Sequence, residues 1–224
     1  MNLPSWRNQP NKLHVEGDDD LHSILHLLMR HDIPYGCAPL PRELPEMKKT
    51  NGVHAMLAGM ATAVGASVGA AVGFVLDADS PLDARWNAVR QRLQQVGMGP
   101  PHQPPAAGFT GCSSTYNARV GVWLMPDNQH DGKLETFLGT LVDEKDPLLI
   151  HSRCATDEAK RIGAIFSSAD HVKAVIRAWL AWQEKPGLPY GSAIRERYFD
   201  HKSEVASVFV EWFKNLYGLK CPPS

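Results

Sequence analysis

The sequence predicts an α/β protein, a mostly parallel sheet flanked by helices with a helical C-terminal section. Three observations carry that prediction. Short apolar strands alternate with amphipathic helices as far as Val142, each strand closes on acidic residues, and after about Pro147 only helical patterns remain.

Structure is predicted to begin at Asn11, after a loose arm over residues 1–10 that holds two prolines. The run Lys12-Leu13-His14-Val15-Glu16 is a short strand stopped by Gly17. Asp18, Asp19 and Asp20 then supply N-cap and first-turn acids to a helix reaching about Arg30, with Leu21, Ile24, Leu25, Leu28 and Met29 on one face. Residues 33–50 contain four prolines and read as a loop with a short edge strand. Gly52 to Val64 suits a helix, and Ala71 to Leu76 is a continuous apolar strand of the kind covered on both faces. Pro81 opens a helix to about Val96. Four prolines between Gly97 and Gly108 make an extended loop, Arg119 to Met125 is a third strand, and Lys133 to Val142 a third helix of this alternating part. Beyond Pro147, helices are predicted from Thr156 to Phe166, from Asp170 to Gln183 and from Ser203 to Tyr217. The predicted organisation is an arm at 1–10, an α/β core at 11–150, and a helical section at 151–224 packed on that core.

At 224 residues with 43% hydrophobic content the chain can bury a substantial core. Its net charge of −1 removes the whole-molecule field of a polybasic nucleic-acid binder. Residues 1–152 hold 12 basic and 16 acidic side chains, whereas 153–224 hold 11 and 8, so the acids concentrate toward the N-terminal side. Cys37, Cys112, Cys154 and Cys221 are widely separated with no C-x-x-C pair, and no signal peptide opens the chain, which points to a reducing, cytoplasmic compartment. The uncharged stretch from Asn51 to Leu76 is long enough to span a bilayer. Its Ala, Gly and Ser content, with Asp77 and Asp79 directly after it, predicts a buried helix, turn and strand instead, so no membrane association is expected.

Ligands of open parallel sheets bind outside the carboxyl ends of the strands. Glu16 closes the first strand, Asp77 and Asp79 the second, and Asp127 the third, with Asp131 and Glu135 shortly after. Residues i and i+2 of a strand share a face, so Asp77 and Asp79 are expected to approach one ion together. Crowded carboxylates repel unless a hard cation takes their oxygens, which makes Mg²⁺ the expected cofactor. Taken singly, each of Asp18 to Asp20 and Asp79 also reads as a helix cap.

The stretches Val15-Glu16-Gly17-Asp18-Asp19-Asp20 and Val75-Leu76-Asp77-Ala78-Asp79, in this order and each at a strand end, resemble the TOPRIM domain of bacterial primases, topoisomerases, recombination-repair proteins and overcoming-lysogenisation-defect nucleases. The stretches Gly121 to Asn128, Gly132 to Glu135, Ala178 to Gln183 and Pro186-Gly187 resemble small stand-alone bacterial TOPRIM-like proteins of uncharacterised function. The resemblance implies a Rossmann-like sheet and a Mg²⁺-dependent phosphoryl-transfer enzyme, with Mn²⁺ as substitute. It places the general acid/base or metal ligand on Glu16 and the metal-binding pair on Asp77 and Asp79. It adds Asp20, Asp127 and Glu135 as further metal ligands. Lys133, from its own position, reads equally as a contact for a transition-state phosphate or as a solvated helix-start lysine. A nuclease acting on DNA or RNA follows, with an ATPase or sensor partner and a role in phage defence by analogy to small TOPRIM effectors. Oligomerisation is compatible with it. Neither the topoisomerase tyrosine domain nor a Walker-type G-x-x-x-x-G-K-[ST] is present, so strand passage and ATP hydrolysis are not expected.

Two other readings stay open: a non-catalytic TOPRIM scaffold that binds DNA or a partner protein, and an enzyme acting on a small phosphorylated ligand. His22 and His26 have zinc-compatible spacing but lack H-E-x-x-H. Trp179, Trp182 and Trp212 read as packing residues on helices. Arg153, Lys160, Arg161, Lys173 and Arg177 form either a basic rim beside the acidic site or a solvated face.

Overall fold

A computed structural model describes residues 9–219; most of the predicted arm and the last five residues, Cys221 included, lie outside the described residues. The chain runs β1 (Lys12–Val15), α1 (Asp18–Arg30), β2 (Glu46–Lys49), α2 (Val53–Gly65), β3 (Ala71–Asp77) and α3 (Leu82–Gln95). It continues through β4 (Phe109–Ser113), β5 (Ala118–Met125), α4 (Leu134–Thr140), α5 (Pro147–Arg161), α6 (His171–Ala181), α7 (Tyr190–Arg195) and α8 (Glu204–Tyr217). The five strands form one sheet in the order β2-β1-β3-β5-β4. The pairs β2/β1, β1/β3 and β3/β5 are parallel, and β4 is antiparallel to β5 at the edge. The protein is therefore α/β, with a mostly parallel, Rossmann-like sheet.

Strand alternation divides the core into two layers. Val72, Phe74 and Leu76 of β3, with Val120, Val122 and Leu124 of β5, pack against Met60 of α2 and Trp86 of α3. Val75, Trp123 and Met125 face the other way and meet Leu25 of α1, Phe137 of α4, Leu180 of α6 and Phe209 of α8. The C-terminal helices thus complete the same core as α1 and the strands. The uncharged stretch from Asn51 resolves into α2, a turn and β3, and among the described residues no helix is long and apolar enough to cross a membrane.

Helix α8 is the main cover of the second layer. Ser203 caps it, its Oγ accepting the Ala206 N–H at 3.3 Å, and Gly218 ends it in the left-handed region at φ 65°. It buries Phe209, Val210, Trp212, Phe213, Leu216 and Tyr217, each contributing about 1.5–3 kcal/mol of transfer free energy. It lies close to the sheet because Gly73 and Gly121, paired in register on β3 and β5, carry no side chain beneath Leu216 and Tyr217. Tyr217 Oη donates to the Lys12 carbonyl at 2.7 Å, Arg119 Nη1 to the Leu216 carbonyl at 3.0 Å, and Trp212 Nε1 to the Phe109 carbonyl at 3.1 Å.

Three elements differ from the sequence reading. Strand β4 lies where no strand was predicted, because Gly111 and the exposed Cys112 break its apolar pattern and pairing with β5 is what orders it. Helix α5 begins at Pro147, not Thr156, since Asp146 Oδ1 accepts the Leu149 N–H at 2.7 Å and caps it there. The short α7 follows the predicted interruption; its Gly191 lies so close to α1 that a Cβ there would stand 2.6 Å from the His22 carbonyl oxygen.

Candidate functional site

Parallel pairing of β1 with β3, His14 opposite Phe74, brings Glu16 and Asp77 out at the same sheet end. Glu16 Oε1 accepts the backbone N–H of Asp77 at 2.8 Å. Asp77 Oδ1 accepts the Leu134 N–H at 3.0 Å, docking the start of α4 and with it the buried Glu135. Asp20, in the first turn of α1, turns back so that Oδ2 accepts the Gly17 N–H at 3.1 Å. Asp20, Asp77 and Glu135 line a cleft of about 460 Å³ with Asp18, Asp19 and Lys173, and Glu16 braces Asp77.

The electrostatics follow from this crowding. Burial, then the charges of Asp20, Glu16 and Glu135, push the Asp77 carboxyl up to about 8. Burial, then Glu16, raises Asp20 to about 7, and burial also raises Glu16 above the ordinary glutamate value. The positive end of α1 offsets only part of this, as a helix terminus carries about half a charge. Near neutral pH the crowded carboxyls therefore hold protons, which a bound cation would displace.

Asp79 faces a different group. The strand ends at Asp77, and Asp79 adopts φ 55°, tied to Gly132 by backbone bonds of 2.8 and 2.9 Å in both directions. This breaks the i, i+2 alternation that would aim Asp77 and Asp79 at one ion. Asp79 Oδ2 instead meets Arg85 Nη2 at 2.5 Å, and Oδ1 lies 3.3 Å from Lys133 Nζ. Arg85 Nε also donates to the Asp77 carbonyl at 3.0 Å, linking the two groups. Asp79 and Lys133 line a second hollow of about 470 Å³ that shares Lys133, Glu135 and Lys173 with the first.

Acids of the third strand end are engaged in turns. Asp127 Oδ1 accepts the N–H groups of Gln129 and His130 at 3.0 and 2.9 Å, while its Oδ2 meets His130 Nδ1 at 2.7 Å. Asp131 Oδ1 accepts the Leu82 N–H at 2.7 Å and anchors α3. Asp127 does not line the cleft that holds Asp20, Asp77 and Glu135. Among the described residues, no group of three or more His, Cys, Asp or Glu, His22 and His26 included, is placed to hold a metal ion by itself. The donor set of Asp20, Asp77 and Glu135 nonetheless fits Mg²⁺ in kind, since that ion takes one or two carboxylates and completes its shell with water and phosphate oxygens.

A family model matches residues 10–218, that of a protein of unknown function, DUF3226. The chain belongs to this family. No curated protein and no solved structure matches it.

Of the basic residues singled out in this family member, Lys173 lies 3.5 Å from Glu135 and Arg177 3.0 Å from Asp19. Arg161 pairs with Glu158 at 2.5 Å, and Lys160 donates to the Ala164 carbonyl at 3.3 Å. Trp179 and Trp212 are buried, whereas Trp182 is exposed beside His151. Arg85 and Tyr190 escaped the sequence reading. Arg177 stacks 3.9 Å over the Tyr190 ring, a contact between α6 and α7 that sequence spacing does not encode. Arg85 could have been found from its place in the first turn of the helix after Pro81, directly downstream of Asp77 and Asp79.

Proposed function

We propose that the chain is a Mg²⁺-dependent phosphoryl-transfer enzyme of TOPRIM type, a nuclease cleaving DNA or RNA phosphodiesters. The observation that carries this reading is the convergence of Glu16, Asp20, Asp77 and Glu135, from β1, α1, β3 and α4, into one electrostatically coupled acidic group at the strand ends. Asp20 and Asp77, with Glu135 beside them, would hold the ion; Mn²⁺ would substitute for it. When bound, Mg²⁺ supplies charge neutralisation at the transferring phosphate and a more acidic water nucleophile. Glu16 holds the end of β3 and stands where it can relay a proton. Lys133 and Arg85 bring positive charge to the phosphate side, and Asp79 positions both. A cytoplasmic enzyme acting beside an ATPase or sensor protein in phage defence extends the same resemblance.

A second reading, a scaffold that binds DNA or a partner protein without cutting, is favoured by one observation. The cations around the cleft are all paired with acids of this chain, Lys173 and Arg177 with Glu135 and Asp19 of the cleft and Lys133 and Arg85 with the neighbouring Asp79.

The test is cleavage of single- and double-stranded DNA, RNA and transfer RNA in Mg²⁺ or Mn²⁺ by wild type and Asp77→Asn. Metal-dependent cleavage lost in the variant supports the nuclease. No cleavage of any substrate, with a melting temperature indifferent to metal, supports the scaffold.

A further inference from the structure

The far end of α1 borders a third cavity, apart from the acidic cluster. Helix α1 starts at the acidic cleft and ends at Arg30, some ~18 Å away at 1.5 Å per residue. There a cavity of about 740 Å³ opens between the end of α1, the loop after it, the 201–202 turn and the end of α8. Its volume falls in the range that encloses small organic ligands.

The cavity joins an apolar floor to a cationic wall. Ile33 and Leu44, both core residues, form the floor, with Pro34, Pro41 and Leu219 beside them. Arg30, Lys202 and Lys214 stand on the wall, and among the described residues none of the three is in an ion pair. Arg30 Nε is buried without a hydrogen-bond partner, and its Nη2 lies 3.5 Å from His201 Nε2 on the same wall. Arg30 and Lys214 stand in the last turns of their helices, whose half-charges offset them in part. Asp32 and Glu43, both exposed, are the acids at the rim. His31 and His201 complete the lining, with His31 Nε2 donating to the His201 carbonyl at 2.6 Å. Burial first, and then the neighbouring cations, hold both imidazoles below their ordinary range, so they leave the local positive charge to Arg30, Lys202 and Lys214.

We propose that this cavity binds a small amphipathic anion, an acidic head group meeting Arg30, Lys202 and Lys214 and an apolar body lying on Ile33 and Leu44. Carboxylate and phosphate heads share this chemistry. The same wall without the apolar floor would suit inorganic phosphate, and the floor without the wall a neutral alcohol.

Titration calorimetry of the full chain with octyl phosphate, octanoate, inorganic phosphate and octanol tests it. At least one of the two amphipathic anions binds saturably at one site, tenfold or more tighter than inorganic phosphate or octanol, and the tighter of the two identifies the head group. Lys202→Glu/Lys214→Glu, two side chains outside the packed core, weakens that binding tenfold or more with an unchanged melting temperature. Binding no tighter than that of the separate parts, or equal binding by the charge-reversed variant, overturns the proposal.

Discussion

Glu16 accepts the backbone N–H of Asp77 at 2.8 Å, so the acid that closes β1 also fixes the strand end carrying the central acid of the cleft. Glu16→Gln keeps an acceptor there and removes one charge from the cluster, whereas Glu16→Ala leaves a partly buried N–H unpaired. Urea unfolding should find Glu16→Gln as stable as wild type or more so, and Glu16→Ala less stable than Glu16→Gln by about 1–3 kcal/mol. Equal stability of the two variants would mean that the bond contributes nothing.

Stability without metal should fall as pH rises from 6.5 to 8. Asp77 and Asp20 have native values raised to about 8 and about 7, and in the unfolded chain both are ionised throughout that window. The native state therefore holds more protons than the unfolded state, and each rise in pH favours unfolding. The loss is on the order of 1 kcal/mol across the window, and Asp77→Asn should reduce it. Below pH 6.5 His14, whose native value is lowered to about 4, chiefly by burial, contributes in the opposite direction and offsets part of this fall. Chemical denaturation at pH 6.5, 7.2 and 8 reads the slope; a slope unchanged by Asp77→Asn places its origin elsewhere.

Millimolar Mg²⁺ should raise the melting temperature more at pH 8 than at pH 6.5, because protons and the cation compete for the same carboxylates. Asp20→Asn and Asp77→Asn should each shrink that rise, read by thermal melts with and without MgCl₂.

Asp79→Gly should separate positioning from metal binding. Glycine accepts φ 55° without strain, so the fold should persist, while Arg85 and Lys133 lose the carboxylate that holds them. The proposed nuclease activity should drop about tenfold to a hundredfold with the Mg²⁺-induced rise in melting temperature retained. Loss of that thermal response as well would make Asp79 a ligand.

Filling the sheet beneath α8 should be costly. A Cβ at Gly121 would lie 2.5 Å from Leu216 Cδ2, and one at Gly73 would lie 2.6 Å from Tyr217 Oη and 2.8 Å from Leu13 Cδ1. Gly121→Ala and Gly73→Ala should each lose about 1–3 kcal/mol in urea unfolding, with no such loss at Gly59, where a Cβ meets nothing within 4 Å.

The sequence by itself determined the β1, β3 and β5 strands, the helices between them and the C-terminal helical section, because apolar periodicity is a local property of consecutive residues. It also determined that Glu16 and Asp77 each lie at the end of a strand of one parallel sheet, since parallel connections bring strand ends to one side of a sheet. Only the tertiary structure decided which acids share a cleft. Asp79 and Asp127 look equivalent to Asp77 along the chain, yet a positive φ turns Asp79 toward Arg85 and Lys133, and Asp127 is held by the N–H groups of its own turn. Glu135 reaches Asp20 and Asp77 because Asp77 holds the start of α4, a contact across 57 residues. Strand β4 and helix α7 escaped for the same reason: partners distant in sequence order them, β5 for the one and α1 for the other, and neither carries a periodic signal strong enough to stand alone.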